Sequence, residues 1–190
     1  MTIHRSYPIS DLINVDFSWN YGACNSLSNM VKDPYDAPDD LATYIYNNVD
    51  GGQLIRAKLS VSSLAVPSSH SITSVKWVFR CSAFVKIVEV TGKISGVYQT
   101  IPWTISKQVS GYIGSTWTTR TLTYTDFTGL PFSTWTSEVV NGITDIEFYG
   151  STPYSWAVNS VKVTQMYLEI ESEAPVGAIN QMNLSRMRRT

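Results

Sequence analysis

The sequence predicts an all-β fold: an antiparallel two-sheet β-sandwich, jelly-roll-like, with one short helix and extended N- and C-terminal arms. Three observations carry this reading. Apolar and polar residues alternate with a period of two over most of the chain, the signature of strands that bury one face. Turn-rich joints recur at Val49–Gly52, Val66–Ser69, Thr91–Gly92, Thr128–Pro131 and Gly150–Ser155, spaced as short strands require. Only STWTSEVVNG (133–142) reads as a helix, with Ser133 or Thr134 as cap and Gly142 as stop.

Residues 1–32 have weak periodicity and many Asn and Ser, and read as an N-terminal arm or extension. The sandwich domain is placed at 33–173. It opens on DPYDAPDDLATYIYNN (33–48), where Asp33, Asp36, Asp39 and Asp40 are spread across Pro34 and Pro38. A compact calcium loop needs closely alternating oxygen ligands, a glycine for its sharp turn and a downstream bidentate Glu. None of these is in register here, so the stretch reads as a solvated lead-in to a first strand, Thr43–Tyr46, and no metal is expected.

QLIRAKLSV (53–61) turns Ile55, Ala57, Leu59 and Val61 inward. SVKWVFRCSAFVKIVEV (74–90) does the same with Val75, Trp77, Phe79, Cys81, Ala83, Val85 and Ile87, and is long enough to need a bulge or bend. VYQTIPWTIS (97–106) continues with Val97, Ile101, Trp103 and Ile105 inward, and Pro102 marks an edge or a bulge. WTTRTLTYT (117–125) sets Thr119, Thr121, Thr123 and Thr125 on one outward face. ITDIEF (143–148) and NSVKVTQMYLEIE (159–171) close the domain, the latter changing parity between Val163 and Met166 as a bulge would. Residues 174–190 follow a Pro-Val-Gly break and end in SRMRR, a C-terminal basic arm.

Composition narrows the function. Charged residues make up 15%, below the roughly 25% of ordinary soluble domains, and the net charge is −1. Nothing supplies the cationic field that phosphate backbones need, so nucleic acid is not an expected partner. No run approaches the ~20 apolar residues of a membrane span, and the N-terminus lacks a signal-peptide pattern. A soluble product of a cytoplasm is expected. Cys81 reads as a buried free thiol, Cys24 lies in a Gly/Asn/Ser loop, and a disulfide between them is not expected.

Signals for catalysis are sparse. His4 and His70 are the two histidines, and His70, in PSSHS, reads as a surface-loop residue. No GxSxG elbow, HExxH pair or GxxxxGK[ST] loop occurs. Glu89, Glu147, Glu169 and Glu171 are the carboxylates a glycosidase would draw on, but any β-protein offers such residues. The chain reads as a non-enzyme without cofactor. With 6 Trp and 11 Tyr, stacking on sugar faces is the other possibility. Trp117, Tyr154 and Trp156 are the glycan candidates, with Tyr149 beside the last two in YGSTPYSW. Core or protein-contact roles are the commoner fate of each.

Two stretches carry a resemblance. DAPDDLATYIY (36–46) is an acidic lead-in followed by Thr-Tyr-Ile-Tyr. The second is FTGLPFSTWTSEVVNGITDIEFYGSTPYSWAVNSVKVTQMYLEIE (127–171). It orders Gly-x-Pro, a Trp-Thr helix start, Ile-Glu-Phe and a terminal Val-Thr-Gln-x-Tyr-Leu-Glu-Ile. Together they resemble the β-sandwich virion proteins of tailed bacteriophages, whose last strand commonly ends in a Val-Thr-Gln-x-Tyr-x-Glu-Val pattern. Tyr149 intervenes before Gly150, so the pattern does not fix the following loop.

The resemblance implies a non-enzymatic head-decoration, tail or fibre-associated component, localised to the virion and present in many copies as a homo-oligomer beside other virion proteins. The alternative is a carbohydrate-binding or host-adhesion module that takes a host glycan. Asp36, Asp39 and Asp40 are expected to meet Arg186, Arg188 and Arg189 of a neighbouring copy.

Overall fold

The structure is a computed structural model, described here for residues 1–15, 18–19, 26, 28, 31, 44–46, 54–83, 89–109, 114–151 and 161–175. In chain order the strands are β1 (Thr2–Ser6), β2 (Pro8–Val15), β3 (Ser18–Trp19), β4 (Ile45–Tyr46), β5 (Leu54–Val61) and β6 (Ser71–Ala83). They continue as β7 (Glu89–Tyr98), β8 (Ile101–Gln108), β9 (Thr118–Thr123), β10 (Ile143–Ser151) and β11 (Val161–Glu173), with a short helix, α1 (Ser137–Asn141), before β10. One sheet runs β3-β4-β11-β6-β9 with β1 also on β11, and the other runs β2-β5-β10-β7-β8. The described pairings are antiparallel. This is the expected two-sheet β-sandwich.

The inward faces follow from alternation. Val75, Trp77, Phe79 and Cys81 of β6 meet Ala57 and Leu59 of β5, Ile94 of β7 and Ile146 and Phe148 of β10 in one core. At its centre the Trp77 and Phe79 rings lie 4.6 Å apart, with Phe148 edge-on to Phe79 at 5.6 Å. The Trp77 indole enters a hole in the opposite sheet that exists because position 92 is glycine. A Cβ there would collide with the indole and come 2.6 Å from Leu122 Cδ1. Gly92→Ala is therefore expected to overpack the core and cost about 1–3 kcal/mol, read as a lower urea midpoint at unchanged m-value. An unchanged midpoint would show that the indole shifts freely. Cys81 is buried and free, and desolvation pushes its thiol up to about 12, so it is an inert core residue.

Several boundaries differ from expectation. The apolar run 74–90 is not one bent strand. It ends β6 in the first sheet at Ala83 and resumes as β7 in the second at Glu89, so the chain crosses between sheets where a bulge was expected. Nor is 97–106 a single strand. Tyr98 pairs with Ile101 across a two-residue turn whose Gln99 and Thr100 have φ of 48° and 69°. Two positive φ values define a type I′ hairpin, normally built from Asn-Gly, and Gln-Thr gives no such signal. Val97 and Ile101 consequently stand 44% and 51% exposed, while Trp103 and Ile105 are buried as expected. Pro102 does lie on an edge strand, β8, and the β11 bulge falls between Val163 and Gln165.

The expected N-terminal arm begins as sandwich. β1 pairs with β11 over Thr2–Ser6, and β2 pairs with β5 over Pro8–Val15. Neither strand alternates cleanly, because each contributes one edge and β2 is broken by two register shifts, which hides the period from a sequence reading. The lead-in 33–43 and the segment 176–190 lie outside the described residues.

Candidate functional site

Beyond β9 the chain runs through Tyr124–Thr136 before α1, and this loop lines a cleft together with Tyr98. Asp126 Oδ1 accepts from the Thr128 amide at 3.0 Å and its hydroxyl at 2.7 Å. This turn holds the Asp126 carboxyl below the usual carboxylate range, chiefly through the Thr128 amide. The Leu130 amide then closes on Phe127 O at 3.0 Å, with Gly129 at φ 76° in the third position, where an L side chain is strained. Trp135 Nε1 donates to Tyr124 O at 2.9 Å and ties the loop's end to its start.

Thr136, rather than the expected Ser133 or Thr134, caps α1 by accepting from the Val139 amide. The helix is pinned by Asn141, whose side chain bonds both the amide and the carbonyl of Val66 at 2.9 Å. Gly142 ends the helix as expected. It must be glycine because a Cβ there would strike Val97 O, and Val97 N donates to Gly142 O at 2.9 Å.

The resulting cleft has a volume of about 760 Å³, and its lining includes Tyr98, Phe127, Phe132, Ser133, Thr134 and Thr136. Five rings form a contiguous cluster, of which Tyr98, Phe127 and Phe132 line the cleft. Phe132 lies 5.8 Å from Tyr98, 5.1 Å from Trp103, 5.9 Å from Phe127 and 5.4 Å from Trp135. Most of these contacts are edge-to-face, the arrangement the ring quadrupole favours. Trp103, Phe132 and Trp135 are buried, and Tyr98 and Phe127 are half-buried and reach the cleft. Among the described residues no carboxylate, lysine, arginine or histidine lines it. Such a cleft offers stacking faces and hydroxyls, with no charge to recognise an ion.

The outward face of the second sheet is polar in a different way. Glu147 is only 3% exposed. It is gripped by Arg56 through Nε–Oε1 at 2.7 Å and Nη2–Oε2 at 3.0 Å, and by Lys93 Nζ at 3.2 Å. Burial pushes the Glu147 carboxyl up, but the hydrogen bonds and charges of Arg56 and Lys93 outweigh it and hold the group low. Lys93 Nζ also sits 4.6 Å from the Tyr149 ring centre, and Lys58 pairs with Asp145 at 3.2 Å.

Of the glycosidase candidates, Glu169 and Glu171 stand together, sharing Lys76, and Glu147 is apart from them. Glu147 is outward on one sheet, whereas Glu169 and Glu171 are outward on the other, paired with Arg5 and Lys76. The side chain of Glu89 is not among those described. A general acid needs a raised pKa, and Glu147 is displaced the opposite way.

His70 is not a free surface residue. His70 Nδ1 and His4 Nε2 lie 2.9 and 3.0 Å from Oγ of the buried Ser172, with the rings 6.3 Å apart. No sequence proximity signals this triple, which spans 168 residues. Among the described residues no group of three or more His, Cys, Asp or Glu could hold a metal.

Of the expected glycan residues, Trp117 is half-buried and 6.2 Å from the Tyr44 ring, which itself carries Lys162 Nζ at 4.8 Å, and it does not line the cleft. Tyr154 and Trp156 lie outside the described residues, as do Asp36, Asp39, Asp40, Arg186, Arg188 and Arg189. The cleft aromatics were missed because Tyr98 is about thirty residues from Phe127. Only the FTGLPFSTW stretch, dense in rings, glycine and proline, hints at them.

No protein-family model matches the chain, and no curated protein sequence matches it. Solved structures are similar in fold. The enzymatically active domain of tailspike protein 4 of bacteriophage CBA120 superposes with a TM-score of 0.46 at 11% identity, over 90% of this chain and 19% of that one. A family 29 carbohydrate-binding module variant complexed with mannohexaose gives 0.39 at 8% identity, over 88% and 91%. The family 30 carbohydrate-binding module of a cellulosomal cellulase of Clostridium thermocellum gives 0.51 at 7% identity, over 88% and 97%. At these identities the likeness is one of architecture, and the chain has the antiparallel β-sandwich fold of that module.

Proposed function

We propose that this β-sandwich is a non-catalytic glycan-binding module, the adhesive part of a larger assembly. The observation that carries the reading is the cleft of about 760 Å³, which among the described residues is lined by Tyr98, Phe127 and Phe132 together with serine and threonine hydroxyls and no charged side chain. Its size lies within the roughly 300–1,000 Å³ range of ligand pockets. Sugar rings present C–H faces to aromatic planes and hydroxyls at their rims, and the cleft supplies a complement to both. The strained Gln99–Thr100 turn beside Tyr98 accords with a site whose geometry is held by its surroundings. The setting, a tailed-phage virion, rests on the sequence resemblance alone.

Neutral soluble polysaccharides in affinity electrophoresis test the reading. Binding is expected for at least one, and Tyr98→Ala should weaken it by about tenfold or more, about 1.4 kcal/mol. Tyr98→Phe should retain most of it, because the ring is kept. Absence of retardation by every neutral polysaccharide would remove the proposal.

A second reading, attachment to other protein subunits, is favoured by Ile3, Ile9 and Leu12. These stand 40%, 55% and 51% exposed along β1 and β2. Apolar residues on edge strands suit a protein contact more than a sugar.

A further inference from the structure

β8 is the last strand of its sheet, so one of its two sides meets no other described strand. The hairpin fixes which backbone groups face that side. Tyr98 and Ile101 close the two-residue turn as a hydrogen-bonded pair, and bonded and non-bonded pairs alternate beyond it. Val97 accordingly turns its amide away from β8, onto Gly142 O at 2.9 Å, and Val109 turns its own toward β7, onto Val90 O at 2.7 Å. Pro102, Thr104, Ser106 and Gln108 therefore present their backbone groups to the free side.

That side is an open template. The β7–β8 register carries no shift, Thr104 and Ser106 are exposed, and the first charge in IPWTISKQ is Lys107. Natural sheets blunt their edges with bulges, prolines and charges. The opposite edge, β2, is broken by two register shifts, whereas β8 confines its proline and lysine to either end of Trp103–Ser106. Space adjoins it on both faces. A cavity of about 300 Å³ is lined in part by Ile105–Gln108, and one of about 330 Å³ in part by Pro102, Trp103 and Thr104.

We propose that β8 is the interface of a homodimer, with β8 of a second copy added antiparallel across a two-fold axis. Pairing Thr104 with Ser106 of the second copy gives each free amide a carbonyl. Gln108 then donates to the Pro102 carbonyl of the second copy, so the proline's missing donor falls at the end of the ladder. Hydroxyl faces hydroxyl across the seam, a pair the sheet already uses at Ser95 Oγ and Thr104 Oγ1, 3.0 Å apart. Lys107 meets Trp103 instead of the other Lys107, so like charges are not opposed. This match of donors, proline and lysine arises from one sequence set against itself, which favours a second copy over a foreign strand. The two Gln99–Thr100 hairpins, each beside a Tyr98 of the aromatic cleft, then point in opposite directions. The dimer needs nothing from glycan binding.

Sedimentation equilibrium of the full chain tests it, from about 10 μM to about 1 mM, a span that registers even a millimolar Kd. A reversible monomer–dimer equilibrium is expected, because one strand pair buries less than the roughly 1,200–2,000 Å² of a stable interface. Thr104→Pro should weaken the dimer at least tenfold with the monomer still folded. The lost amide serves no bond to β7, and Pro102 already occupies an equivalent position. Should that variant not fold, Thr104→Lys with Ser106→Lys sets lysine against lysine on an unchanged backbone and should likewise leave only monomer. Ile9→Ser with Leu12→Ser should leave the dimer unchanged, which separates this edge from the apolar flank of β1 and β2. In hydrogen exchange, the Thr104 and Ser106 amides should gain protection as concentration rises. A chain that stays monomeric at about 1 mM overturns the proposal. So does a dimer that survives the paired lysines, or one that the Ile9 and Leu12 changes dissolve.

Discussion

Replacing Trp77 by alanine is expected to lower the stability of the domain by about 3–5 kcal/mol, measured by urea denaturation. The indole is fully buried, stacks on Phe79 at 4.6 Å and lies 6.2 Å from Phe148. Removing it opens a void that rigid strands on both sides cannot close. At the position facing the indole the partner sheet has no side chain to offer, because that residue is Gly92. Adding Gly92→Ala should consequently cost less in the Trp77→Ala background than in the wild type, since the indole is gone and of the three nearest atoms only Leu122 Cδ1 still stands in the methyl's way. Equal costs in the two backgrounds would show that the indole and the glycine are not coupled. A loss below about 1 kcal/mol for Trp77→Ala would show that the core collapses around the deletion.

The second large effect is expected at Glu147. Its removal leaves Arg56 and Lys93 without their shared carboxylate, and breaking a buried pair costs about 3–5 kcal/mol. Both cations retain side-chain exposure of 32% and 28%, so water recovers part of this and Glu147→Gln belongs near the lower end, about 3 kcal/mol. The effect carries a pH signature. The folded pKa of Glu147 is lowered, so its contribution is complete above the ordinary glutamate pKa, about 4.3. It fades as pH falls through the lower folded value. Between pH 7 and pH 3 the wild type should lose more stability than Glu147→Gln, and the curves should converge at the acid end. Parallel curves would mean that the carboxylate contributes little to folding.

How much of this was legible follows from what each feature depends on. The β6 core face was readable because the alternating positions Val75, Trp77, Phe79 and Cys81 state one local fact, that a pleated surface is half buried. The same regularity misled across 84–88, since period cannot report that the chain changes sheets. The Gln99–Thr100 hairpin was invisible because its backbone is imposed by pairing of β7 with β8 rather than by a glycine. The cleft, the Ser172 pair of histidines and the Arg56–Glu147–Lys93 group are joined by topology across dozens of residues. A single sequence carries no trace of which distant ring meets which.

The pairing of β1 with β11 also has a mechanical side. Thr2 lies opposite Ser172, so the two outermost strands of the described fold end side by side rather than at opposite poles. A load applied to both would open antiparallel ladder bonds one after another, as a zipper, instead of shearing them together. The His4–Ser172–His70 contact is among the first connections in its path. A copy held from both sides would yield at a low force, whereas a copy held from one side alone would leave this seam unloaded and keep the whole sandwich behind its grip.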